Sequence, residues 1–96
     1  MSDGVQGEAM EREFVILNQY GIHARPAALF VKIASRYDAE IQVEKGGNTV
    51  SGKSIMGLMT LEASRGTKLK VTATGPDAEE LLDELQELIE SKFDED

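Results

Sequence analysis

Residues 21–27 read Gly21-Ile22-His23-Ala24-Arg25-Pro26-Ala27, and the chain changes character across them. Just before them Phe14, Val15, Ile16 and Leu17 stand in a row, which predicts a buried first strand over Glu13 to Leu17. Asn18 to Gly21 is turn material. After them Ala27, Phe30, Val31, Ala34 and Tyr37 recur at helical spacing, with Leu29 and Ile33 widening the stripe, so a helix is predicted over Ala24 to Tyr37. Pro26 falls in its first turn, where a missing N–H forfeits no hydrogen bond. The stretch is therefore a strand-to-helix switch, and it carries the only histidine in the chain.

Working outward, Ile41 and Val43 alternate with polar neighbours over Glu40 to Glu44, as in a half-buried strand. Gly46-Gly47-Asn48 signals a hairpin, and Thr49 to Ser51 returns as a short strand. Ser54 is a good N-cap for a helix carrying Ile55, Met56, Leu58, Met59 and Leu61. Gly57 costs that helix about 1 kcal/mol relative to alanine, so it is expected to be short. Lys68 to Thr74 alternates again and stops at Gly75-Pro76. Asp77 and Glu80 form an aspartate version of a capping box ahead of Leu81, Leu85, Leu88 and Ile89. The order is β-α-β-β-α-β-α, which favours an α+β layer with a mostly antiparallel sheet and helices on one face. Three segments follow: a flexible N-terminal arm over 1–12, a domain over 13–93 and an acidic tail over 94–96.

Ninety-six residues without a cysteine can fold as one domain, with no disulfide scaffold, cysteine-ligated zinc or thiol chemistry. The first twelve residues lack the apolar centre of a signal peptide, and no apolar run approaches the roughly 20 residues of a membrane span. A cytoplasmic protein without membrane contact is expected. The net charge of −8 is unevenly placed. Residues 77–96 hold ten acids and one base, whereas residues 24–70 hold four acids and eight bases. The overall acidity argues against nucleic-acid binding, which depends on neutralising phosphates. The mildly basic half around His23 suits a small phosphate or an acidic partner surface.

An imidazole has an ordinary pKa of about 6.5 and offers a nucleophilic nitrogen near neutral pH. At a helix entrance, His23 stands where free backbone N–H groups and the helix dipole attract phosphate oxygens, and Arg25 can add a charge-assisted contact. The bland alternative is an exposed loop histidine. Gly47-Asn48-Thr49-Val50-Ser51-Gly52-Lys53-Ser54 fits the nucleotide-binding pattern G-x-x-x-x-G-K-S by letter. That mechanism requires a buried strand, an uninterrupted loop and a full helix inside a parallel α/β domain, and here Thr49 to Ser51 reads as strand inside the supposed loop. Ser54 instead stands at a helix N-terminus, where an added phosphate is tolerated. Beside it Ile55, Met56 and Met59 exceed what a short surface helix needs; those left outside form an adaptable docking patch, and those inside are plain core. One histidine and no cysteine give little for a metal, and neither a metal nor a cofactor is expected.

The stretch 21–27 resembles the active-site signature of HPr, the histidine-containing phosphocarrier family of the bacterial phosphoenolpyruvate-dependent phosphotransferase system. Lys53-Ser54-Ile55-Met56-Gly57-Leu58-Met59 resembles the family's second signature, around its regulatory serine. The resemblance runs from about Glu13 to Phe93. It implies an open-faced β-sandwich, a four-stranded antiparallel sheet covered on one side by three helices. It also implies that His23 accepts a phosphoryl group on Nδ1 from phosphorylated enzyme I and hands it to phosphotransferase-system acceptor domains, with Arg25 holding the phosphate. Ser54 matches the target of an HPr kinase/phosphorylase, Ile55, Met56 and Met59 match part of the docking surface, and a transcriptional regulator and a monomeric state are further implied. The chain is then a stoichiometric carrier rather than a free-standing enzyme. The tail Phe93-Asp94-Glu95-Asp96 is more similar to that of the nitrogen-related paralogue NPr, while the serine region is more similar to sugar-system HPr. An adaptor module with an inert His23 is the remaining alternative.

Overall fold

The computed structural model describes residues 9–95. Positions 1–8 of the predicted arm and position 96 of the predicted tail lie outside the described residues. The elements are β1 (Ala9–Val15), α1 (Ala24–Ala34), β2 (Glu40–Lys45), β3 (Asn48–Ser51), α2 (Ile55–Thr60), β4 (Lys68–Thr74) and α3 (Ala78–Glu90), followed by a short turn at Lys92–Asp94. The four strands form one antiparallel sheet in the order β1-β4-β2-β3. Three helices cover one face, giving the open-faced sandwich: α3 packs on β1 and β4, and α1 packs against α2 and α3.

The first strand corrects the predicted boundary. It opens at Ala9 rather than Glu13, because β4 offers partners along its whole length, from Val15 opposite Lys68 to Ala9 opposite Thr74. Residues 9–12 are thus strand, not arm. The row Phe14 to Leu17 is not buried throughout either. Phe14 and Ile16 face the core, whereas Val15 and Leu17 face out, as the two-residue period of a strand requires. On the open face Lys70 lies 3.5 Å from Glu11 and 3.5 Å from Glu44 on the flanking strands. Exposed pairs of this kind set register more than stability.

The β2–β3 hairpin closes through Gly46 and Gly47, with Lys45 opposite Asn48. Both glycines have positive φ (55° and 87°), the conformation a two-residue hairpin needs for its twist to match the strands. The core runs between the inner sheet face (Phe14, Ile41, Val43, Leu69, Val71, Ala73) and the helix stripes of Ala27, Phe30 and Ala34 on α1 and Leu81, Leu82, Leu85 and Ile89 on α3. No helix among the described residues is long and apolar enough to cross a membrane.

α1 ends at Ala34, three residues short of the predicted Tyr37, and the reason lies at Asp77. The expected capping box is absent from its side chain, which makes no cap hydrogen bond. Its carboxylate instead accepts the backbone N–H groups of Asp38 and Ala39, each at 2.9 Å. The turn after α1 is thereby stitched to the start of α3. The Asp38 amide, aided by that of Ala39, holds the Asp77 carboxyl below the usual aspartate range. A carboxyl depressed in the folded state stabilises fully above its unfolded pKa of about 3.9, and that contribution is lost as pH falls through the lower folded value. Asp77→Asn should therefore lower Tm at pH 7 and flatten the fall of Tm below about pH 4. Melting curves from pH 2 to 7 check this; parallel wild-type and variant profiles would contradict it.

Candidate functional site: an imidazole at a helix entrance

The site is built by the loop between β1 and α1. Gly21 adopts φ +67°, and a Cβ there would stand 2.3 Å from the Ala63 carbonyl oxygen. Only glycine fits such an approach in that conformation. The contact lets Ile22 donate its N–H to the same oxygen at 2.8 Å, seat its side chain in the core and leave the next residue outside. That residue, His23, is the N-cap of α1 with extended backbone, and its side chain makes no cap hydrogen bond. The imidazole remains 44 % exposed. Ala27 donates to the His23 carbonyl at 3.0 Å, so the first-turn amides of Ala24 and Arg25 precede the helix's own hydrogen-bond ladder and are left for an incoming anion.

The C-terminal segment reaches back over this loop. Lys92, Phe93 and Asp94 all have positive φ (57°, 54° and 58°), a run of left-handed residues that costs roughly 1–2 kcal/mol each. Phe93 offsets that cost, because its ring is fully buried. The reversal carries Glu95 across the site. His23 Nε2 lies 2.8 Å from Glu95 Oε2. Arg25 Nη1 donates to the Phe93 carbonyl at 2.9 Å and lies 3.7 Å from Glu95 Oε2. Buried Asn18 donates from Nδ2 to the Gly21 carbonyl and to Glu95 Oε1, both at 2.8 Å. That Asn18 bond, supported by His23 and by the Arg25 charge, holds the Glu95 carboxyl below its ordinary range. The carboxylate is ionised at neutral pH and can only accept, so Nε2 carries the ring proton. Among the described residues Nδ1 makes no hydrogen bond.

The second predicted element is also as drawn locally. Ser54 caps α2, its Oγ accepting the Gly57 N–H at 2.9 Å. The helix is six residues long. Leu58 and Leu61 turn inward, whereas Ile55, Met56 and Met59 stay 40 %, 77 % and 41 % exposed. The nucleotide-loop letters dissolve into a hairpin glycine, strand β3, a turn and this cap. Lys53 donates to the Tyr37 carbonyl at 2.9 Å, a structural contact rather than a phosphate clamp.

A family model described as the PTS HPr component phosphorylation site matches residues 10–91. The chain belongs to the HPr family. The HPr of Borreliella burgdorferi is 49 % identical over 82 residues, covering 85 % of this chain and 95 % of that one. The phosphocarrier NPr of Shewanella violacea is 38 % identical over 86 residues, covering 90 % and 94 %. Among solved structures, the HPr-C-His of Thermoanaerobacter tengcongensis aligns with a TM-score of 0.87 at 49 % identity, covering 91 % of this chain and 98 % of that one. The HPr family is one of phosphocarriers of the phosphotransferase system, and this chain is a phosphocarrier of that kind.

Within the HPr fold, His23 and Arg25 are brought together with three residues that sequence reasoning did not assign: Asn18, Phe93 and Glu95. The tail is the correction. Its acids read as a tail over 94–96 set apart from the domain, yet Glu95 is tied to both Asn18 and His23. Arg25, expected to be free for phosphate, is engaged by the same segment.

Proposed function

We propose that His23 is the phosphoryl acceptor and donor of this carrier, taking the group on Nδ1 from phosphorylated enzyme I and passing it to acceptor domains of the phosphotransferase system. The observation that supports this is an exposed imidazole at the N-terminus of α1 whose Nε2 already carries the proton. The lone pair is then on Nδ1, on a side chain at the entrance of α1 that shares the Glu95 carboxylate with Arg25. A relay of this kind depends on alignment and charge stabilisation rather than a pocket. Arg25 holds the phosphate once it is released from the Phe93 carbonyl. The carrier works in the cytoplasm as a monomer, and the 49 % identity to the Borreliella burgdorferi HPr, against 38 % to the Shewanella violacea NPr, favours the sugar-transport pathway. The test is phosphorylation by enzyme I and phosphoenolpyruvate, followed by peptide mapping of the acid-labile phosphate. Label on a peptide without His23 would overturn the assignment.

The exposed Ile55, Met56 and Met59 serve as the docking patch for enzyme I and the acceptor domains, and Ser54 is its control point, phosphorylated by an HPr kinase/phosphorylase and read by a transcriptional regulator. A phosphate on Ser54 adds roughly two negative charges beside an apolar contact surface. Ser54→Asp keeps a good N-cap, so the fold should be retained, while affinity for enzyme I should fall by about tenfold or more. Titration calorimetry checks this; wild-type affinity would remove Ser54 from the docking surface.

A further inference from the structure

We propose that Glu95 is a positioning residue for phosphoryl transfer: through its paired contacts to Asn18 and His23 it fixes the imidazole as the Nε2–H tautomer and leaves Nδ1 as the nucleophile. The proposal rests on His23 being the acceptor. Its geometry is specific. One carboxylate oxygen, Oε1, takes a hydrogen of the buried Asn18 amide at 2.8 Å, and the other, Oε2, takes the His23 Nε2 proton at 2.8 Å. Asn18 is itself fully buried and fixed by the Gly21 carbonyl, so the carboxylate is held from behind. The left-handed turn at Lys92–Asp94 and the buried Phe93 ring hold it from its own chain side.

The chemistry balances without a proton leaving the site. The Nδ1 lone pair forms a bond to phosphorus while the bond from phosphorus to the donor breaks, and that electron pair stays with the donor. The Nε2 proton remains on the ring throughout, between the imidazole and Glu95. The phosphorylated ring is formally cationic, and the carboxylate facing Nε2 offsets that charge. On onward transfer the Nδ1–phosphorus electron pair returns to Nδ1, and the starting tautomer is restored. An imidazole with the proton on Nδ1 has no lone pair there and cannot begin the cycle.

Glu95→Gln gives a result that no purely structural role would produce. Glutamine has one oxygen, and Asn18 requires an acceptor where Oε1 stands, since two amide NH₂ groups cannot face each other in a buried contact. The glutamine oxygen is claimed there, and its NH₂ faces His23 Nε2. It then donates to Nε2 and drives the ring proton to Nδ1. Glu95→Ala imposes neither tautomer. The closer substitution is thus expected to be the more harmful one. The experiment is ¹⁵N NMR of the His23 ring in the full chain at about pH 8.5, above the ordinary imidazole pKa, with phosphoryl-transfer rates from phosphorylated enzyme I measured in parallel. The Nε2–H form should dominate in wild type, fall in Glu95→Ala and give way to Nδ1–H in Glu95→Gln. Transfer should slow by about tenfold in Glu95→Gln, the scale of one charge-assisted hydrogen bond, and by less in Glu95→Ala. The same tautomer populations in all three proteins, or a Glu95→Gln rate at or above that of Glu95→Ala, would overturn the proposal. Phosphate mapping away from His23 would instead overturn the acceptor assignment, and the ¹⁵N measurement, made without any donor, separates the two failures.

Discussion

His23→Ala should take up no acid-labile phosphate from enzyme I and phosphoenolpyruvate, a loss of at least about a thousandfold, because it removes the nucleophile itself. The other parts of the site cannot substitute. Arg25 is a permanently charged donor with no lone pair to offer. Ser54 would give an acid-stable ester, and its hydroxyl accepts the Gly57 N–H as a helix cap. The variant should stay folded. His23 contributes its backbone to the start of α1, and its side chain makes no cap bond. Only its contact with Glu95 is lost. Far-UV circular dichroism and Tm close to wild type, with phosphate uptake at background, is the expected pair of results. Acid-labile phosphate above background in His23→Ala would refute the relay.

Phe93→Ala should be the most destabilising single change in the C-terminal segment. The ring is completely buried, and emptying such a site costs about 3–5 kcal/mol. That is a large part of the 5–15 kcal/mol available to a domain of this size, and it corresponds to a Tm lower by roughly 10–20 °C or more. The same ring holds three successive left-handed residues. Without it their strain is no longer offset, so the turn should open and Glu95 should leave His23. The expected result is a sharply lower Tm together with fast amide exchange at 92–95 at temperatures where α3 and the sheet remain protected. A Tm within about 3 °C of wild type would show that the anchor is not the ring.

Where local chemistry decides structure, the chain was readable from residues alone. The alternation of Lys68 to Thr74 matches β4 residue for residue. The glycine pair marks the hairpin, and Ser54 marks the start of α2 as an N-cap with its hydrogen bond in place. The misses have a common cause, which is that partners far apart in sequence decide them. The predicted β1 starts too late because Arg12 points toward α3 and breaks the apolar alternation. Its guanidinium is satisfied by Gln86 at 2.9 Å and Asp83 at 2.8 Å, both on α3. Asp77 looked like a helix cap, yet its acceptors serve a turn nearly forty residues earlier, as the Asp38 contact shows. Glu95 lies 72 positions from His23, and nothing in the composition of an acidic tail separates the one carboxylate that docks from its neighbours. Phe93 was the available signal: a large apolar residue beyond the end of an amphipathic helix has to be buried somewhere.

The path of the last residues across the His23 loop has a practical side. Glu95 itself lies against the imidazole, so an affinity tag or fluorescent fusion added at this end of the chain is joined one residue after the carboxylate that holds the His23 proton. The first strand starts well away from that contact. β1 runs seven residues from Ala9 to Val15 before the chain enters that loop, so its start is about 20 Å away along the strand. Kinetic work on this carrier is best done without a C-terminal label, which would report on its own interference.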